Sequence, residues 1–219
     1  MIIVIQCQGS KQSDAGYLKT ANGKAVKFVA RPALAPLDSS CIYARPDDLS
    51  DDGRSWRQVL LDYNEDGRNT LRLYPAYQLY RDALYRRLAN RFGLHNLYIL
   101  SAGWGLLKAE FLTPAYDITF SQVKKEERYK RRMESDRYDD FSMLPATTDE
   151  PIVFFGSKGY VVQFCFLTRD LRRDKIVFYN AEEAPNAPGC VLKKFEGATR
   201  NTNWQYDCAN AFLDGDITA

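Results

Sequence analysis

The sequence predicts an α/β protein in which a mostly parallel central sheet lies between two layers of helices. Three observations predict it: short apolar runs recur along the chain, each run ends in a small or polar loop, and amphipathic helical patterns separate the runs. Strands of a parallel sheet are apolar throughout because helices cover both faces. This alternation of β and α favours a doubly wound, three-layer α/β/α fold.

Four segments carry the predicted strands. Each is rich in β-branched, apolar or aromatic residues and stops at a polar or small residue: 2–5, 97–100, 152–155 and 175–179. In open α/β sheets, ligands bind outside the carboxyl ends of the strands. We therefore expect the loops that follow these four strands on one side of the molecule.

Three segments carry the predicted helices. In 75–92, large side chains recur at the three- and four-residue steps of an amphipathic helix: Tyr77, Tyr80, Leu84, Leu88 and Phe92. Further helices are predicted at 160–171 and 204–213. The pattern thus places helices after both the first and the third strands.

The chain of 219 residues is predicted to form a single domain, 1–219. Its segment from about 16 to 70 is too long for a plain connection and contains clusters of Pro, Gly and Asp. We interpret this segment as an ordered, loop-rich insertion that partly covers the site.

The composition excludes several classes of protein. Five scattered cysteines, none in a C-x-x-C pair, argue against a zinc site or a disulfide framework. The single histidine, His95, is one candidate for a catalytic base or simply a turn residue. No apolar run approaches the roughly 20 residues that span a bilayer. We expect a cytoplasmic protein that uses no metal, cofactor or membrane.

The first loop that suits chemistry follows the first strand. Gly9 lies beside Ser10 and Lys11, and such a loop brings backbone N–H groups close to an anion or a nucleobase edge. Gln6 and Gln8 each offer a donor and an acceptor, which suits recognition of a base edge. The alternative is a tight turn with a solvated lysine.

The second loop follows the strand at 97–100. Here Ser101 precedes Trp104, and Gly103 and Gly105 flank that ring, an arrangement that can stack a flat ligand and bond its edge. Tyr116 and Asp117 then supply a phenol and a carboxylate. The alternative is that Trp104 belongs to the core and Asp117 caps a helix.

Together these loops resemble the YaaA-like group of proteins. The resemblance covers a strand ending in Cys-x-Gly-Ser-Lys, at 2–11, then Ser-Ala-Gly-Trp-Gly-Leu-Leu and Pro-Ala-Tyr-Asp within 98–119, with a looser match at 154–160. It implies a fold like that of uracil-DNA glycosylases, which several relatives are thought to share. The long insertion and the C-terminal third lie outside the resemblance.

The chain lacks the Gly-Gln-Asp-Pro-Tyr and His-Pro-Ser motifs of uracil-DNA glycosylases, so a glycosylase must use other residues. N-glycosidic bonds break through an oxocarbenium-like sugar, which one carboxylate beneath C1′ can stabilise while it orients water. Asp117 is the candidate for that carboxylate, and Tyr116 is its catalytic neighbour.

Three further segments suit contacts with a nucleic acid. Lys158 opens a helix after a Gly-Ser turn, a plausible phosphate seat. Asn201 and Asn203 lie in a polar loop that suits a base or a sugar, although Asn203 equally suits an N-cap. The densest positive charge is at 124–132, predicted as a basic helix on the DNA backbone or a merely solvated face: Lys124, Lys125, Arg128, Lys130, Arg131 and Arg132.

The leading hypothesis is a DNA glycosylase that flips a modified base out of the duplex, such as a glucosylated hydroxymethyl base, and hydrolyses its N-glycosidic bond. Defence against phage is a reasonable setting, because phage DNA carries such bases. The first alternative is a DNA-binding stress or repair protein without catalysis, for which the basic segment matters and Asp117 does not. The second is an enzyme that acts on free nucleosides or nucleotides.

Overall fold

The computed structural model describes residues 1–147, 149–197 and 203–219. Its strands, numbered in chain order, are β1 (Ile2–Gln6), β2 (Ala25–Val29), β3 (Cys41–Ala44), β4 (Tyr74–Pro75), β5 (Leu97–Ser101), β6 (Gly105–Lys108), β7 (Leu112–Thr113), β8 (Tyr116–Asp117), β9 (Phe141–Ser142), β10 (Ile152–Phe155), β11 (Lys175–Tyr179) and β12 (Val191–Lys194). Its α-helices are α1 (Trp56–Asp66), α2 (Ala76–Leu79), α3 (Leu84–Phe92), α4 (Lys158–Leu167) and α5 (Trp204–Asp214).

A seven-stranded, mixed and mostly parallel sheet forms the centre of the protein, in the order β12-β11-β10-β1-β5-β6-β9. β1 lies between β10 and β5 and is parallel to both, whereas β6 is antiparallel to β5. The α/β class and all four predicted strands are therefore confirmed. The reversal at β6 follows from a tight turn after β5, which leaves no room for a helical crossover.

Helices cover both faces of this sheet. In β10, Phe154 stacks on Phe164 of α4, with ring centroids 4.4 Å apart, whereas Phe155 packs on Phe212 of α5 at 5.4 Å. Successive side chains of a strand point to opposite faces. The two helices consequently lie on opposite sides of the sheet, which makes three layers.

The prediction of one continuous helix at 75–92 is wrong, because the helix is interrupted in the middle of this segment. It is divided into α2 and α3 because Tyr80 is extended (φ −91°, ψ 144°) and forms a β-bridge with Lys11. The N–H of Arg81 donates to the Ser10 carbonyl at 3.2 Å, and Asp82 accepts the N–H of Leu84 at the start of α3. Pairing with the loop after β1 thus overrides the helical periodicity of this segment.

The other two helices are close to their predicted positions. The helix predicted at 160–171 begins two residues earlier, with Ser157 at its N-cap, and ends at Leu167, where the Thr168 hydroxyl donates to the Phe164 carbonyl. The helix predicted at 204–213 is confirmed as α5. Within the described ranges, no helix combines the length and the apolar character that crossing a bilayer requires.

The insertion at about 16 to 70 is more regular than the predicted loop-rich segment. Its strands β2 and β3 join β8 in a second parallel sheet, in the order β3-β2-β8. Ser55 caps α1 by accepting the N–H of Gln58, and Gly67 ends the helix with φ 70°. Because Phe28 of β2 contacts Trp104 edge to face at 4.9 Å, one hydrophobic core serves both sheets.

Candidate functional site

A cavity of about 350 Å³ lies between the loop after β1 and the second sheet. Its volume falls in the range of small-molecule sites. We call it the Lys11 cavity, and its walls are formed by Gly9, Lys11, Gln12, Ser13, Tyr17, Lys27, Phe28, Tyr43, Ala115, Tyr116, Asp117 and Tyr129. The structure thus brings together four of the predicted site residues, Gly9, Lys11, Tyr116 and Asp117.

The Lys11 amine lies over the Tyr116 ring, with Nζ 4.1 Å from the ring centroid. Its hydrogen bonds are long, at 3.5 Å to the Gln8 carbonyl and 3.4 Å to the Gly9 carbonyl. Among the described residues no carboxylate lies within 4.0 Å of this amine. Burial lowers the pKa of Lys11, although the charges of Cys7 and Asp117 oppose that shift.

Asp117 lies in β8, paired with Val29 of β2, so it does not cap a helix. Its side chain is 58% exposed, and one carboxylate oxygen lies 3.9 Å from Lys130 Nζ. Partial burial lowers the pKa of Lys130, but its hydrogen bond to Glu127 and the charge of Asp117 outweigh burial and raise it. The carboxylate therefore stands at the cavity wall beside a cation and remains open to solvent.

The hydroxyl of Tyr116 points into the core and not toward the cavity. It lies 2.8 Å from the Tyr80 hydroxyl, and both side chains are buried. Burial raises the pKa of Tyr116 well above its ordinary value, so the phenol stays protonated. This corrects the expectation that Tyr116 supplies a phenol to the chemistry, because its ring is what forms the cavity floor.

Further cavity residues come from the insertion and were missed by the sequence analysis. Lys27 and Tyr43 are partners in the register of β2 and β3, and the Tyr43 ring meets the Tyr129 ring edge to face at 6.1 Å. The Lys27 amine donates to Asp38 at 3.0 Å, which raises the pKa of Lys27. The alternating pattern of Ala25–Val29 would have indicated a strand there.

The Trp104 loop is part of the core. Trp104 is fully buried, edge to face with Phe28 and stacked on Phe141, so the prediction that it stacks a ligand is wrong. The Ser101 hydroxyl accepts the N–H groups of Gly103 and Trp104, and Gly105 begins β6 with φ 90°. The alternative interpretation of this tryptophan as a core residue is confirmed.

The predicted DNA contact at Arg132 is also wrong, because this side chain is buried. Its guanidinium donates to the Ala102 carbonyl at 2.8 Å and forms an ion pair with Asp140 at 2.7 Å. Arg57 from α1 donates to the Gly103 and Trp104 carbonyls. The two arginines therefore hold the turn between β5 and β6.

The two glutamines of the first loop bond within the protein. The side-chain oxygen of Gln6 accepts the N–H of Ser157 at 2.6 Å, and that of Gln8 accepts the N–H of Asp82 at 3.4 Å. Neither glutamine lines the Lys11 cavity, and Ser10 is exposed beside it. Because Gln6 is also buried, this corrects the expectation that its amide reads a base edge. Gln8 is partly exposed, so its role in base recognition stays a prediction.

The basic segment forms a 3-10 helix at Lys125–Lys130 and not an α-helix. Lys124, Lys125 and Arg128 are exposed, whereas Lys130 and Arg131 are partly buried. A β-bridge between Thr119 and Arg131 holds this segment close to β8. Its exposed cations consequently lie beside the element that carries Asp117.

The remaining predicted residues lie away from the Lys11 cavity. Lys158 lines a separate cavity of about 700 Å³ with Ser157, Tyr179 and Trp204. Asn203 is exposed at the N-cap of α5 without a side-chain capping bond, and Asn201 lies outside the described residues.

Neither a cluster of metal ligands within the described residues nor a known relative indicates the function of the site. Within the part of the chain that the structure describes, no three His, Cys, Asp or Glu side chains are grouped as metal ligands. Neither a protein-family model, nor a curated protein, nor a solved structure matches the chain. The function therefore has to be argued from the Lys11 cavity itself.

Proposed function

We propose that this protein is a DNA N-glycosylase that hydrolyses the bond between a modified base and its deoxyribose at the Lys11 cavity. The observation that carries the proposal is the solvent-open carboxylate of Asp117 on the wall of an aromatic and cationic cavity. Such a carboxylate stabilises an oxocarbenium-like sugar and orients the attacking water. The resemblance of the loops to the YaaA-like group, which implies a fold like that of uracil-DNA glycosylases, favours the same reaction.

The walls of the cavity suit a flipped base. Enzymes that act on a base in DNA take it out of the stack and hold it against aromatic side chains. Here Tyr17, Tyr43 and Tyr129 supply those rings, and Lys27 lies at one wall. Two of these rings come from the insertion, so we expect that segment to contact a substituent such as a glucosylated hydroxymethyl group.

The surface beside the cavity favours DNA over a free nucleoside. Lys124, Lys125 and Arg128 are exposed on the segment that follows β8. Lysines and arginines that contact phosphates position a protein on DNA without reading its sequence. A free nucleoside would have no use for these three charges.

Base release from unmodified and phage-modified DNA, followed by mass analysis, tests this proposal. We expect wild-type protein to release one modified base, and Asp117→Asn to reduce the rate by about 10²-fold or more. Asp170→Asn is the matched control, because Asp170 is an exposed carboxylate far from β8 in the chain, paired with Arg169. Both variants should share the wild-type thermal midpoint.

Three outcomes contradict the proposal. Undiminished base release by Asp117→Asn removes the carboxylate from the mechanism. Salt-dependent DNA binding without base release favours the binding protein. Turnover of mononucleosides that survives neutralisation of Lys124, Lys125 and Arg128 favours the enzyme of free nucleosides.

A further inference from the structure

We propose that the Lys11 amine acts as a nucleophile on the sugar, forming an imine with C1′ of an abasic deoxyribose and so giving the protein a DNA lyase activity. The proposal rests on the proposed function in one respect: the abasic sugar is the product that base release leaves in the cavity. DNA in which the abasic site already exists allows the lyase to be tested apart from base release.

Three lysine amines lie at or beside the Lys11 cavity, and their partners distinguish them. Lys27 is 3.0 Å from Asp38, and Lys130 is 2.9 Å from Glu127. Lys11 alone of the three lacks a carboxylate within 4.0 Å, as far as the described residues extend. An amine held by a carboxylate stays protonated, so Lys11 is the amine that is free to react.

The Tyr116 ring fixes the position of the Lys11 amine without neutralising it. The ring centroid lies 4.1 Å from Nζ, and the hydroxyl of that tyrosine is tied to Tyr80 below. A ring beneath the amine favours the ammonium form, but the loss of water around a partly buried lysine favours the neutral form. The balance lowers the pKa of Lys11, as Schiff-base lysines require.

The reaction needs no component beyond the protein, the DNA and water. The neutral amine adds to the C1′ aldehyde of the open-chain sugar, and loss of one water leaves the imine. Removal of a C2′ proton then breaks the C3′–O bond, so that the 3′ phosphate leaves with the electron pair. Water finally hydrolyses the unsaturated imine and restores Lys11.

Asp117 is placed to accept the C2′ proton. It lines the same cavity, and its charge partly opposes the burial that lowers the pKa of Lys11. An exposed carboxylate beside an imine is a suitable general base for this elimination. The same residue therefore serves both base release and strand cleavage.

Borohydride trapping on DNA with a pre-formed abasic site tests the proposal. Borohydride reduces the imine to a stable secondary amine, and we expect a covalent complex with wild-type protein whose modified peptide maps to Lys11. Lys11→Arg and Lys11→Met should each reduce its yield at least tenfold. Lys108→Arg is the matched control, because Lys108 is exposed opposite Tyr98, at the other end of the sheet.

The outcomes separate this proposal from the glycosylase assignment. An adduct on Lys27 or Lys130, or none on wild-type protein, overturns the role of Lys11 whether or not its variants fold. Base release without an adduct leaves the glycosylase and removes the lyase. Adduct formation and strand cleavage without release of any base leave the lyase and remove the glycosylase.

Discussion

The ammonium nitrogen of Lys11 lies 4.1 Å above the centroid of the Tyr116 ring, whose hydroxyl is bonded to Tyr80 at 2.8 Å. Tyr80 in turn forms a β-bridge with the backbone of Lys11. These contacts connect three segments of the chain: the loop after β1, the break between α2 and α3, and strand β8. They hold the Lys11 amine over a buried aromatic ring.

The rate of borohydride trapping should increase with pH, because the reaction requires the neutral form of the Lys11 amine. Only the neutral amine adds to an aldehyde, and the pKa of Lys11 lies below 10.5, so the initial trapping rate should rise with pH with a midpoint below that value. Asp117→Asn should move the midpoint to lower pH, because the Asp117 charge raises this pKa. A midpoint unmoved or shifted upward in Asp117→Asn contradicts this coupling.

Arg132→Ala should destabilise the protein by roughly 3–5 kcal/mol, because it removes the nearer of the two arginines that pair with a buried carboxylate. The side chain of Asp140 is only 3% exposed, and Arg132 is paired with it at 2.7 Å. Urea unfolding measures the change. Arg128→Ala is the control, since an exposed arginine should cost within about 0.5 kcal/mol. Equal losses of unfolding free energy in the two variants would contradict a stabilising role for the buried ion pair.

Gly105→Ala should also destabilise the fold, by roughly 1–3 kcal/mol or more. Gly105 has φ 90°, and a Cβ there would lie 2.5 Å from the carbonyl oxygen of Phe141 in β9. Gly9→Ala is the contrast, because a Cβ at Gly9 meets nothing within 4 Å. Thermal unfolding should show a lower midpoint for Gly105→Ala. An unchanged midpoint would show that a Cβ at position 105 causes no steric strain.

Cys190 should be the fastest thiol to react with iodoacetamide. Its hydrogen bond with Cys165, at an Sγ–Sγ distance of 3.9 Å, lowers the pKa of Cys190 to about 7, with the Lys175 charge assisting. The thiolate is the reactive form, so alkylation should rise through that pH. Burial instead raises the pKa of Cys208. Mass mapping identifies the site, and Cys190→Ser should abolish the fast phase.

Replacing Lys124, Lys125 and Arg128 together by Gln should weaken DNA binding and its dependence on salt. Each lost phosphate contact reduces the slope of log affinity against log salt concentration by roughly 0.9. Fluorescence anisotropy over a salt series measures that slope. The matched control is the charge-neutralising Lys108→Gln, at the far end of the sheet. If the triple variant leaves the slope unchanged, the basic segment does not contact the DNA phosphates.

Part of the candidate site could be predicted from the loops alone. Gly9, Lys11, Tyr116 and Asp117 follow or lie near strand ends, and the sheet brings them to one cavity. Gln6 and Gln8 follow the same strand, yet both amides bond to backbone N–H groups of distant segments. Proximity to a strand end therefore predicts the region of a site but not the direction in which each side chain points.

The α/β class could be predicted from the sequence, because short apolar runs such as those at 2–5 and 152–155, separated by helical patterns, are typical of strands covered on both faces. That Trp104 packs in the core and that Arg132 pairs with Asp140 became clear from the three-dimensional contacts alone. The burial of a side chain depends on residues that are distant along the chain, and a local sequence pattern does not identify those residues. The insertion supplies such partners both to the core, through Phe28, and to the cavity, through Lys27.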